Sequence, residues 1–67
     1  DAYFEEGGEL VLVDYKTDKV WNRRPETLVE KYQVQLQYYK EALERLTQKK
    51  VKEVYLYSLY LGREILV

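Results

Sequence analysis

Gly7 and Gly8 stand between two extended-looking runs, Asp1 to Glu5 and Glu9 to Lys16, and they constrain this chain more than any other pair of residues. Adjacent glycines between apolar runs favour a two-residue hairpin turn, because both central positions of that turn need positive φ. The register then follows by counting. If Glu6 faces Glu9, then Phe4 faces Val11, Ala2 faces Val13 and Asp1 faces Asp14. A four-residue loop keeps the same partners, whereas a one-residue bulge shifts them.

Residues 17 to 26, TDKVWNRRPE, show no period and read as a loop, with Pro25 and Glu26 suited to the first turn of a helix. Over 27 to 47 the residues Leu28, Tyr32, Gln35, Leu36, Tyr39, Ala42, Leu43 and Leu46 recur every three or four positions, which predicts an amphipathic helix. Alternating aromatic and aliphatic residues predict a strand over 51 to 61, and Gly62 turns the chain into a last strand over 63 to 67. The expected fold is α/β of the α+β type: a β-hairpin, one long helix and two further strands, with the helix on one face of a mixed sheet. At 67 residues the chain makes at most one domain, 1 to 67. A chain of that size buries only about 60% of its unfolded surface.

The chain has no cysteine and no histidine. That excludes disulfides, thiolate zinc sites and every histidine-based form of metal ligation or acid–base catalysis. A net charge of −1 excludes binding to nucleic acid through bulk charge alone. No apolar run approaches the roughly 18 residues of a transmembrane helix, so no membrane partner is expected. A start at Asp1, without an initiator methionine and apparently inside a strand, suggests a truncated piece of something longer. Chemistry must come from carboxylates, lysines, arginines and tyrosines.

The aliphatic run Leu10 to Val13 ends in Asp14-Tyr15-Lys16; Asp14 and Lys16 share one face of the strand, and Tyr15, pointing the opposite way, is expected to be a core residue. In the counted register Asp1 lies opposite Asp14. Two carboxylates at about 5 Å repel by roughly 3 kcal/mol at an effective dielectric near 20, so a cation is needed between them. Lys16 supplies one charge; a divalent ion supplies two and accepts oxygen ligands. On this reading the strand end is a reaction centre for metal-assisted phosphodiester hydrolysis. The alternative is a solvated strand end whose ion pair is worth about 0–1 kcal/mol. Gln35 and Tyr39 place polar tips on the apolar stripe, where they either satisfy one another or reach Asp14 and Lys16. In KVWNRR, Arg23 and Arg24 suit phosphates and Trp21 suits stacking on a base, or else Trp21 packs over the helix start.

Asp1, then Asp14-Tyr15-Lys16-Thr17-Asp18, then QLQYYKEAL from Gln35 to Leu43 and VKEVYLYSL from Val51 to Leu59, together resemble the PD-(D/E)xK nuclease domain of the RecB/AddA helicase-nuclease type, nearest in flavour to AddA. The resemblance covers almost the whole chain and implies the C-terminal part of a restriction-endonuclease-like core. It implies that Asp1 and Asp14 bind Mg2+ or Mn2+, that Lys16 is the catalytic lysine, and that Gln35 and Tyr39 match a Gln-x-x-x-Tyr motif supporting the site and contacting DNA. It further implies a bacterial, cytoplasmic enzyme of double-strand break repair. The expected partners are DNA, a helicase domain in the same parent chain and a second helicase-nuclease subunit. The rival expectation is a non-catalytic DNA-binding or structural module that retains the nuclease fold.

Overall fold

The computed structural model describes residues 2–67, in the order β1 (Ala2–Glu6), β2 (Glu9–Lys16), α1 (Pro25–Thr47), β3 (Val51–Ser58) and β4 (Arg63–Leu66). The four strands form one sheet in the order β1-β2-β3-β4. The β1/β2 and β3/β4 pairs are antiparallel and the central β2/β3 pair is parallel. A parallel pair needs a long crossover, and α1 supplies it while covering one face of the sheet. The result is the expected mixed sheet with one helix.

Gly7 and Gly8 adopt φ of 61° and 84°, as the hairpin requires. Ala2 pairs with Val13, Phe4 with Val11 and Glu6 with Glu9, so the counted register holds throughout β1. The pairing counted for Asp1 lies outside the described residues. β1 is an edge strand with every residue exposed, and its acids Glu5 and Glu6 are ion-paired to Lys49 and Lys52.

The core lies between α1 and one sheet face, where Leu10, Leu12, Val54 and Leu56 meet Leu28 and Leu36, with Val51 and Val20 closing the two ends. A β-bulge between Leu10/Val11 lets β3 carry Lys52 as an extra residue, since Leu10 pairs with Val51 and Val11 with Glu53. Among the described residues no helix is long and apolar enough to cross a membrane.

Three boundaries or placements differ from the sequence reading. The helix begins at Pro25 rather than at 27, because Arg24 is the N-cap and Pro25 fills the first position, where its missing N–H costs nothing; the loop is shorter to match. β3 ends at Ser58 rather than at 61. There the Ser58 hydroxyl accepts from Leu61 N and the Ser58 carbonyl from Gly62 N, which closes a turn. Tyr15 is not a core residue: it is 51% exposed and packs its ring against Tyr57, 5.8 Å between centroids, on the face that α1 does not cover.

Candidate active site

β2 delivers Asp14 and Lys16 to the helix-covered face at its C-terminal end, the end of a sheet strand where loops leave the core. Asp14 pairs with Leu56 of β3, and Lys16 with Ser58. Lys16 is held by its backbone as well, its carbonyl accepting from Leu59 N at 3.0 Å. The Asp14 side chain is 1% exposed and that of Lys16 17%.

The Lys16 ammonium lies 3.1 Å from Asp14 Oδ2, yet among the described residues no donor meets either Asp14 oxygen in hydrogen-bonding geometry. A buried carboxylate ordinarily has its lone pairs satisfied. Two orphaned, buried, anionic oxygens therefore form a donor set suited to a hard divalent cation, which takes carboxylate oxygens. Among the described residues no three acids, histidines or cysteines gather, so Asp14 stands as the buried acid of this site.

Gln35 Oε1 accepts a 3.1 Å hydrogen bond from the Lys16 ammonium. The helix rotates Gln35 to the exposed rim of its stripe, so the amide is not buried as its spacing implied. It reaches Lys16 from outside. Tyr39 packs instead against the core and lines an apolar groove with Ala2, Tyr3, Leu12, Ala42 and Leu43, and no hydrogen bond joins it to Asp14 or Lys16. The structure thus brings Asp14, Lys16 and Gln35 together and sets Tyr39 one helical turn away.

Asp18 and Tyr32 also belong to this corner, although their spacing did not mark them. The Lys16 ammonium sits 4.2 Å from the centre of the Tyr32 ring. Asp18 Oδ2 accepts from the Tyr32 hydroxyl at 2.8 Å and from Lys31 at 2.6 Å. The signal available beforehand was the position of Tyr32 three residues before Gln35, a spacing that places both on one helix face. The Lys31 ammonium, and after it the Tyr32 hydroxyl, hold the Asp18 carboxyl below the usual carboxylate range. A depressed folded pKa stabilises the fold above the unfolded value of about 3.9, and this stability is lost as pH falls through the folded one. Asp18→Asn is therefore expected to lower the thermal unfolding midpoint near neutrality, with the gap to wild type closing in acid. Thermal melts across the acid range check this; a gap that stays constant with pH contradicts it.

The basic loop adjoins the same end of the sheet. Trp21 is 78% exposed and rests edge-on against Tyr60, 6.3 Å between ring centroids, rather than over the helix start. Lys19 lies over the Trp21 ring and Arg23 over that of Tyr60. Arg23 has a φ of 55°, and its N–H donates to the Val20 carbonyl, so the loop is anchored by the buried Val20. Arg24 is exposed beside Glu26, and its N–H donates to Asn22 Oδ1. The anchored loop thus gathers the exposed Trp21 indole and the exposed cations Lys19, Arg23 and Arg24 on one surface.

Residues 1–64 match the sequence pattern of the PD-(D/E)XK nuclease superfamily. The chain is similar to proteins named as subunits of an ATP-dependent helicase/nuclease. That of Clostridium kluyveri is 61% identical over 57 residues, 85% of this chain and 4% of that protein. That of Acetivibrio thermocellus is 57% identical over 63 residues, 94% of this chain and 5% of the relative. That of Clostridium beijerinckii is 49% identical over 65 residues, 97% of this chain and 5% of the relative. The chain spans about one-twentieth of the length of the curated relatives it matches. With its mixed sheet, crossover helix and buried Asp14 beside Lys16, the chain belongs to the PD-(D/E)XK nuclease superfamily.

Proposed function

We propose that this chain is the part of a metal-dependent deoxyribonuclease that carries its catalytic lysine, Lys16, and a metal-binding carboxylate, Asp14. The observation that carries this reading is the buried Asp14 carboxylate, which has no hydrogen-bonding donor among the described residues and a single ammonium 3.1 Å away. Asp1 is proposed as a second carboxylate ligand, supported by the counted register and by the Ala2–Val13 pair. Asp14 and Asp1 would hold Mg2+ or Mn2+, which when bound acidifies water and polarises a phosphoryl oxygen.

The remaining steps belong to this chain's own side chains. Lys16 places its ammonium where charge develops on the phosphate, and its preorganisation by Asp14 and Gln35 makes that charge available without rearrangement. Gln35 orients Lys16. Tyr39, one turn further along α1, is proposed as a DNA-side contact from the resemblance rather than from a contact to Lys16. Arg23 and Arg24 take backbone phosphates, and Trp21, which presents most of its surface to solvent, stacks on an unpaired base.

The parent protein is proposed to be a bacterial, cytoplasmic ATP-dependent helicase/nuclease acting in double-strand break repair, with a helicase domain in the same chain and a second subunit. The names of the relatives support this context. The test is calorimetric titration of the full-length protein with Mn2+, alongside a cleavage assay on linear DNA with and without chelator. Wild type is expected to bind the ion and to cleave only when it is present, and Asp1→Asn and Asp14→Asn are each expected to weaken binding. Cleavage that survives chelation, or ion binding indifferent to both substitutions, sinks the proposal.

A further inference from the structure

We infer that Tyr32, fixed by Asp18, is a positioning residue that holds the Lys16 ammonium in place through the face of its ring. The inference rests on the nuclease reading proposed above. Lys16 ends a flexible stem of four methylenes, and among the described residues its ammonium has three neighbours: Asp14 Oδ2 at 3.1 Å, Gln35 Oε1 at 3.1 Å and the Tyr32 ring at 4.2 Å. The two oxygens attract the ammonium from the sheet and from the rim. The ring closes the remaining side with a negative π face, which attracts a cation without offering it a proton acceptor. A phosphate arriving at the site then meets an ammonium that is already oriented.

The ring is itself held. Its hydroxyl donates to Asp18 Oδ2 at 2.8 Å, and the same carboxylate oxygen is paired with Lys31 at 2.6 Å. Asp18 lies two residues beyond Lys16 along the chain, so the strand that presents the lysine also leads into the group that anchors its wall. Tyr32 is half-buried and packs against the core, which by itself is a structural role. The π face is what distinguishes the two roles.

In the full-length protein Tyr32→Phe keeps the ring and is expected to hold kcat within about threefold of wild type, whereas Tyr32→Leu is expected to lower kcat about tenfold, with KM for DNA little changed. Phenylalanines bearing successively more ring fluorines at residue 32 should lower kcat stepwise, because fluorine weakens the π face at nearly constant shape; this series decides the matter even if the leucine variant fails to fold. A flat fluorine series, or a leucine variant whose kcat is unchanged, overturns the inference. Lys16→Ala, measured in parallel, separates the two ideas. Wild-type cleavage by Lys16→Ala defeats the role proposed above for Lys16 as the catalytic lysine, while an inactive Lys16→Ala beside a flat fluorine series defeats only the positioning role of Tyr32.

Discussion

Lys16→Ala in the full-length protein is expected to lower the DNA cleavage rate by about two to three orders of magnitude, the loss that follows removal of one preorganised group facing developing charge. DNA binding should change little, because the loop cations Arg23 and Arg24 remain. A second effect is equally large. Among the described residues Lys16 supplies the only ammonium beside Asp14, a carboxylate that is 1% exposed and has no hydrogen-bonding donor. Removing one partner of a buried pair leaves an uncompensated charge and costs about 3–5 kcal/mol. The variant should therefore unfold at lower temperature without metal, and a divalent cation should restore its stability without restoring the rate. Lys16→Arg keeps the charge, so stability should largely return. Its planar guanidinium does not reproduce a point charge set between Asp14, Gln35 and the Tyr32 ring, so the rate should not. Single-turnover cleavage and thermal melts with and without Mn2+ measure both effects. A Lys16→Ala protein that cleaves normally removes Lys16 from the mechanism.

What could be read ahead of the structure was whatever depended on short-range periodicity. Two glycines in positive φ set the β1/β2 register, so the partners of Phe4 and Ala2 followed by counting. The shared face of Asp14 and Lys16 followed from the two-residue period of a strand. The 3.6-residue period revealed α1 but not its start, because the first turn at Pro25 and Glu26 bears no apolar residue to mark it. The same period placed Gln35 on the stripe yet could not say how far the helix would roll it toward solvent. Leu59, Tyr60 and Leu61 looked like strand because apolar residues fill turns as readily as strands when a buried serine caps the turn. Tyr15 continues the apolar run of β2 and so looks like core, but it points away from Asp14 and Lys16, to the face that α1 leaves uncovered, where it is 51% exposed. The contacts of Asp18 with Lys31 and Tyr32, 13 and 14 residues away, arise where α1 crosses the sheet end, and no local pattern encodes that crossing.

Asp14→Asn should have opposite effects on activity and on stability. A metal ligand that supplies several kcal/mol of transition-state stabilisation is worth about three orders of magnitude in rate, so cleavage should fall by that factor or more. The fold, measured without metal, should become more stable. An ionised carboxylate buried without hydrogen bonds costs several kcal/mol, and an amide of the same shape removes the charge for a smaller penalty of about 1–3 kcal/mol. The lysine left behind keeps its bond to Gln35, its ring contact with Tyr32 and some exposure to water, so it does not take over the penalty that Asp14 gave up. This asymmetry between the two partners, one sealed and one at the rim, is why substitution at Asp14 and at Lys16 should shift stability in opposite directions. It also predicts the response to ions: Mn2+ should raise the melting temperature of wild type and leave that of Asp14→Asn where it was. Melts of both proteins with and without Mn2+ would show it, and a less stable Asp14→Asn protein that still responds to the ion would mean that the buried carboxylate is satisfied by something other than a metal.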